Sequence, residues 1–373
     1  MPPGRAARVV LALVLLLAAA RPGLAQRAPR TATRNRAAID MGSSGIKLLV
    51  TDPRGRTLAD EKIGASLGKG IGPDRLLPKE NRLRAVAALE TLVARAARFG
   101  VAPGQIEVIT TAAVRNANGR MTAAARRARK TTGQRFLDGD VRRGLGLSRA
   151  RILTGEEEAL LGHQGALIGW QGSADTVFAV VDTGGGSHQV IVGTRAAIKA
   201  AGSTQIGSNQ VAEQALVAAA GGTLDVVTPK DFAEADRRMA ALVPSLPIDA
   251  AGARGAVPVV TGGTAKFLGH YFRKDSVTRA DIEALRAKVG ALPTSARAAL
   301  VKKDVTGKAF TRRTRQLLGL HAAGAVGGEY GAKLPAKLTL LLRVMSLLEV
   351  TEIHLAQTDA RHALVGGAAP PSR

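Results

Sequence analysis

Two aspartate-glycine loops stand far apart in the sequence, Asp40-Met41-Gly42-Ser43-Ser44-Gly45 and Asp182-Thr183-Gly184-Gly185-Gly186-Ser187. Residues of these types in this order suit a phosphate clamp. Glycine lets backbone N–H groups approach phosphate oxygens with no Cβ in the way, and serine adds a hydroxyl donor. Aspartate holds a hard cation such as Mg²⁺, directly or through water. One Gly-Ser turn is common to any hairpin, but two such loops roughly a domain apart point to a duplicated clamp with a cleft between the copies. Between them, Thr154-Gly155-Glu156-Glu157-Glu158-Ala159 opens an apolar helix running to about Ile168. Acids in a first helical turn complement the helix dipole; one of them can also act as a general base on a water beside a phosphoryl group. Val259-Val260-Thr261-Gly262-Gly263-Thr264-Ala265 repeats the order strand, glycine pair, hydroxyl, helix, an anion-friendly turn at a helix N-terminus.

The elements that must position these residues follow from the pattern. Each aspartate loop is entered by a short apolar strand (Ala37-Ala38-Ile39; Val177 to Val181) and left by another (Ile46 to Val50; Val190-Ile191-Val192). A further strand is expected near 57–63, a long amphipathic helix from Pro78 to Phe99, and a strand from Gln105 that delivers Thr110-Thr111-Ala112-Ala113-Val114-Arg115. Met121 to Lys130 reads as a helix and Arg151-Ile152-Leu153 as a strand. Gln171-Gly172-Ser173-Ala174-Asp175 reads as the hinge between two lobes. Beyond it come helices near 208–219 and 229–242, the strand at Val257, helices near 278–289 and 334–348, and a strand from Glu352 to Leu355. Strands alternating with helices predict mixed α/β sheets. The two similar hairpins predict two related lobes, 37–170 and 171–366, with a tail at 367–373.

The order of Asp-Met-Gly-Ser-Ser, Thr-Ala-Ala-Val-Arg115, Gly-Glu-Glu-Glu-Ala, Asp-Thr-Gly-Gly-Gly-Ser and Gly-Gly-Thr resembles the exopolyphosphatase / guanosine-pentaphosphate phosphohydrolase family, of the actin, sugar kinase and heat-shock chaperone superfamily. Supporting stretches are Leu67 to Gly72 and Leu334-Pro335-Ala336-Lys337-Leu338. The resemblance runs from about Ala37 to about Val365, and the joint order of motifs is specific even though no single motif is. It implies two ribonuclease H-like (actin-like) lobes, mixed sheets flanked by helices, and metal-assisted hydrolysis of a phosphoanhydride in the inter-lobe cleft. Asp40 and Asp182 would hold Mg²⁺ or Mn²⁺. Gly42, Ser43, Ser44, Gly184, Gly185, Gly186 and Ser187 would cradle the terminal phosphate, and Gly262, Gly263 and Thr264 phosphates further along. Arg115 would neutralise charge on the phosphoryl oxygens. Glu158, just before Ala159, matches the family's catalytic glutamate. The chain departs from the family's pattern at Gly45, where a serine is usual, at Gln189, where a glutamate is usual, and at Asp359-Ala360-Arg361-His362-Ala363, where Arg-Glu-Gly is usual.

Composition is consistent with this. The chain has 373 residues, 46% of them hydrophobic but only 3% aromatic, so its cores must be built from alanine, valine, leucine and isoleucine. A net charge of +24 fits nucleic acid, a membrane surface or an anionic substrate. Two Tyr and one Trp leave no aromatic platform for bases. The basic runs Arg126 to Lys130, Arg142-Arg143 and Arg312 to Arg315 read equally well as solvated surface, and specific nucleic-acid binding is not expected. Zero cysteines exclude disulfides and thiolate sites, the histidines lack zinc spacing, and neither a P-loop nor a Gly-x-Ser-x-Gly elbow is present.

Arg5 and Arg8, the apolar Val9 to Ala20 and the Gly23-Leu24-Ala25 ending read as a cleavable signal peptide over 1–25. The apolar run is short of the ~20 residues that span a bilayer, so no stable membrane anchor is expected after cleavage. A basic linker follows at 26–36. The expected location is periplasmic or secreted, which favours polyphosphate or another phosphoanhydride as substrate. Guanosine pentaphosphate is the alternative for a chain that is not exported, and a non-catalytic polyphosphate-binding module is the alternative of a different class. A homodimer stays open.

Overall fold

A computed structural model describes residues 34–171, 173–294, 296–297 and 325–366. The leader, most of the basic linker, the run at Arg312 to Arg315 and the tail lie outside the described residues.

Two mixed sheets carry the structure. The first has the order β3-β2-β1-β4-β5, built from β1 (Arg36–Met41), β2 (Gly45–Thr51), β3 (Thr57–Gly64), β4 (Glu107–Thr110) and β5 (Ala150–Ile152). The second has the order β10-β11-β9-β6-β7-β8, from β6 (Phe178–Thr183), β7 (His188–Gly193), β8 (Ile198–Thr204), β9 (Val257–Thr261), β10 (Ser276–Thr278) and β11 (Glu352–Leu355). Each sheet starts with an antiparallel hairpin whose first strand also pairs in parallel with a later one, β1 with β4 and β6 with β9. Strands β1, β6 and β7 are near-continuous apolar runs because helices cover both faces. These are the mixed sheets and two lobes that the alternating pattern and paired hairpins predict, in the actin-like arrangement that the family resemblance implies.

Helix α1 (Lys79–Ala97) lays Ala85, Ala88, Leu89, Leu92 and Ala96 on β2 and β3, and these small side chains let helix and sheet pack closely without aromatic fillers. In the second lobe the long helices are α4 (Pro229–Leu242), α5 (Gly262–Phe272), α6 (Arg279–Gly290) and α7 (Ala325–Leu347). Thr228 and Thr278 close capping boxes with Asp231 and Asp281 and so fix the starts of α4 and α6. Helix α3 (Gly155–Ala166) packs against β6, β7 and β8 and against the C-terminal helix α8 (Ala360–Val365), while α8 itself packs on β1 and β2. The chain is therefore tied across the lobes at two places.

Three local expectations change. The segment delivering Arg115 leaves the strand at Thr110 and closes as a helical turn, α2 (Ala112–Arg115), in which Arg115 N–H donates to Thr111 O at 3.0 Å. Alanine pairs favour helix. The helix expected over 121–130 shrinks to Ala123–Arg127, because Thr122 caps it and Arg129 adopts φ 53°. Helix α7 runs through Pro335 from Ala325 instead of starting near 334.

Candidate active site

Equivalent bonds build the two aspartate loops. Gly42 N–H donates to Gly45 O at 3.0 Å, and Gly184 N–H donates to Ser187 O at 2.9 Å. Asp40 stands opposite Lys47 across its hairpin, and Asp182 stands opposite Gln189 across the other. The carbonyls of Ser43, Gly184 and Gly185 accept from Gly68, Ser208 and Asn209 at 2.9–3.0 Å. Trans peptide planarity then turns the next N–H of each to the opposite side. The loops also touch: a Cβ on Gly186 would sit 2.5 Å from Ser43 Oγ, and one on Gly185 would collide with Ser44 Oγ. Only glycine admits so close an approach.

Between the loops lies a cavity of about 90 Å³. Its lining includes Asp40, Gly42, Ser43, Ser44, Glu158, Asp182, Gly184 to Ser187 and Gly263. Of the residues singled out in the sequence, Arg115, Gly262 and Thr264 do not line it; Arg115 meets it only through Glu158, which does. Thr264 is fully buried with its hydroxyl 3.3 Å from Thr183 Oγ1. Gly262, at φ 80°, starts α5 beneath Asp182; a Cβ there would lie 2.8 Å from Asp182 Oδ1. Their geometry supports the aspartate from below.

The three glutamates of α3 separate by role. Glu157 completes a capping box with Thr154 (Thr154 N–H to Glu157 Oε2, 2.9 Å), and Glu156 is exposed. Glu158 turns into the cleft, where Arg115 Nη1 donates to its Oε2 at 2.9 Å and to Leu153 O at the same distance. Burial pushes the Glu158 carboxyl up to about 7; the Arg115 guanidinium opposes the shift, and Asp182 and Asp40 add to it. Arg115 Nη2 is buried without a hydrogen-bond partner among the described residues.

The cavity also holds three lysines that sequence reasoning did not assign, Lys47, Lys62 and Lys337. Lys47 Nζ donates to Asp40 Oδ2 at 3.1 Å; burial, the largest single effect, works against its charge, but Asp40, Asp359 and Asp182 together outweigh it and keep the ammonium protonated. Burial raises the Asp182 carboxyl above its ordinary range, with Lys47 opposing. Lys337 of α7 is brought down to about 7, first by burial and then by the charges of Lys62, Lys333 and Lys47. At the position opposite Asp182, Gln189 Nε2 donates to Ser187 Oγ at 2.9 Å and Ser203 Oγ at 3.2 Å. The neutral amide thus anchors the second loop. The hairpin register gave the signal for Lys47, and a single lysine inside the apolar run Leu334 to Leu342 gave it for Lys337.

Behind the cleft runs a second unassigned cluster. Arg361, 2% exposed, donates to Asp359 Oδ2 at 2.6 Å, to Asp60 Oδ1 at 2.7 Å and to Leu48 O at 2.9 Å. Lys266 bridges Asp60 (2.7 Å) and Asp359 (3.1 Å). The cluster fastens α8 and α5 to β2 and β3.

The donors suit a hard cation. Asp40 Oδ1 is buried with no hydrogen-bond partner, and the Asp182 carboxylate lies across from it in the same lining. Among the described residues no cluster of three or more acidic, histidine or cysteine side chains could hold a metal. Two carboxylates nevertheless match Mg²⁺, which keeps waters and takes its remaining oxygens from phosphate.

The sequence matches the Ppx/GppA phosphatase family over residues 51–304. An exopolyphosphatase from Cytophaga hutchinsonii is similar in structure, with a TM-score of 0.66 at 19% identity, covering 89% of this chain and 97% of that one. A Ppx/GppA family member from Aquifex aeolicus is also similar, with a TM-score of 0.59 at 17% identity, over 89% of this chain and 96% of the other. At such identities the likeness is one of fold. No curated protein sequence matches the chain.

Proposed function

Because the chain belongs to the Ppx/GppA phosphatase family, we propose that its cleft hydrolyses the terminal phosphoanhydride of inorganic polyphosphate. The observation that carries this is the placing of Glu158, held 2.9 Å from Arg115, on the cavity lined by both aspartate-glycine loops. The loop amides and the Ser43, Ser44 and Ser187 hydroxyls grip the terminal phosphate. Arg115 bridges the base and the reacting phosphoryl group, while Glu158 orients a water and takes its proton. Mg²⁺ held by Asp40 and Asp182 would supply charge neutralisation on the phosphoryl oxygens. None of the described residues that line the cavity is aromatic and, at about 90 Å³, it is well below the ~300 Å³ of sites for drug-sized ligands. That favours a bare phosphate chain over a guanosine nucleotide. Phosphate release from long-chain polyphosphate by the purified protein, with and without Mg²⁺, is the direct test; release from guanosine pentaphosphate alone would reverse the choice of substrate.

Two expected results follow. Asp182→Asn should abolish Mg²⁺-stimulated release while leaving the unfolding midpoint near wild type. A Mg²⁺ titration unchanged in the variant would remove Asp182 from the metal site. The second concerns pH. A base works deprotonated, and Glu158 is raised to about 7, so release should climb about tenfold per pH unit below that value and level off above it. A rate–pH profile that is flat across neutrality would show that Glu158 is not the titrating base.

A further inference from the structure

Two consecutive residues of β7 leave the end of the second loop on opposite faces of the sheet, because strand side chains alternate. Gln189 reaches Ser187 and Ser203 on one face. On the other, His188 is fully buried, and its Nδ1 lies 2.8 Å from Ile206 O. A carbonyl oxygen can only accept, so Nδ1 carries the proton and donates it to this bond. Burial pushes the pKa of the ring down and keeps it neutral, which leaves Nε2 bare. That nitrogen is buried with no hydrogen-bond partner among the described residues. Burying an unpaired acceptor is unfavourable, and an apolar side chain such as the Val190 and Ile191 that follow would avoid it. What the histidine adds is the bond to Ile206 O.

Ile206 opens a turn that braces the loop. Ser208 N–H donates to Gly184 O at 3.0 Å, and Asn209 N–H donates to Gly185 O at 2.9 Å. Gly207 lies flat against the same backbone: a Cβ there would sit 2.6 Å from Gly185 O and from Ser187 N. Gly184 to Ser187 line the cavity and residues 206–209 do not, so the two carbonyls point away from it. Planar peptides then aim the Gly185 and Gly186 N–H groups the other way, into the cavity. We propose that His188 is a positioning residue for this anion loop. By holding Ile206 O it fixes the turn 206–209, and the turn keeps the Gly185 and Gly186 N–H groups on a bound phosphate. The proposal rests on the reading of the cleft as a phosphate site; His188 itself lies outside the cavity lining.

Asparagine places its Nδ2 donor where histidine has Nδ1, whereas leucine fills the space with no donor. In titration calorimetry of the full chain in metal-free buffer, His188→Asn should bind tripolyphosphate within about threefold of wild type. His188→Leu should bind it about tenfold more weakly, the size of one lost hydrogen bond. A role in packing alone predicts the reverse order, because leucine suits a buried strand position better than asparagine does. Amide hydrogen exchange tests the brace with no ligand present. The Ser208 and Asn209 amides should exchange about tenfold faster in His188→Leu and near the wild-type rate in His188→Asn. If His188→Leu does not fold, His188→Gln takes its place, since its donor sits one bond too far out. The proposal is overturned if the Leu variant binds like wild type, if Asn and Leu weaken binding equally, or if the two amides exchange alike in the Leu variant and wild type. Wild type that binds no phosphate species, with the amides loosened only in His188→Leu, defeats the phosphate reading of the cleft and leaves the brace standing. Phosphate binding that is indifferent to His188 does the reverse.

Discussion

Replacing Glu158 by Gln is expected to slow phosphate release by ~10²–10⁴-fold while polyphosphate affinity stays close to wild type. The amide keeps the shape of the side chain and can still accept from Arg115 through its oxygen, which sits 2.9 Å from the guanidinium in the carboxylate form. What it loses is the capacity to take a proton. As a surface acid complementing a helix dipole, Glu158 would contribute only ~0.3–1 kcal/mol of stability, and its replacement would leave the rate nearly untouched. Glu156 is exposed and Glu157 is occupied by Thr154, so Glu156→Gln serves as the internal control. Single-turnover release measured for both variants decides the assignment: equal rates in the two would end the claim that Glu158 is the base.

The largest expected effect on stability lies at Arg361. Breaking a buried ion cluster by removing one partner costs ~3–5 kcal/mol, because the remaining charges stay buried without compensation. Arg361→Met keeps the volume but strips the donors to Asp359, Asp60 and Leu48 O. Denaturant unfolding should show a loss of that size, and a loss below ~1 kcal/mol would mean that water compensates the cluster. Acid should act on the same cluster. Burial alone would raise Asp359, yet Arg361 and Lys266 prevail and hold it well below its ordinary value of 3.8. A carboxylate depressed in the folded state contributes stability that is present above the unfolded value and lost as pH falls through the folded one. Wild type should therefore lose the cluster's contribution only below about 4, and Arg361→Met should lose less on the same descent.

Much of the fold was legible because it rests on local pattern. Strand runs such as Val177 to Val181, and helices with capping residues such as Thr228 and Thr278, announce themselves through short-range chemistry. Strands β8 and β10 did not: no residue from Ile198 to Thr204 is fully buried and there is no alternating apolar face, and Ser276–Thr278 spans three residues. Among the candidate site residues, the loops could be named because glycine there answers a chemical need that shows in the sequence, and Glu158 because the family resemblance picks it from three adjacent glutamates. Lys62 and Arg361 could not. Their roles depend on which strand faces which helix across the cleft, and that information resides in tertiary packing. Thr264 was misplaced for the same reason, since its hydroxyl turns under the loop toward Thr183 and not into the cavity.

The docking of α8 has a consequence for the order in which the protein can be made. Ala38 and Leu49 are covered by Val365 and Leu364, and Leu48 O waits for a guanidinium 313 positions downstream. A ribosome delivers the first hairpin long before its cover, so an apolar strand face stays uncovered for most of translation. Such faces are where nascent chains aggregate. The main core of the first lobe closes within residues 37–152, so only this one face of its sheet has to wait until residues 360–365 emerge.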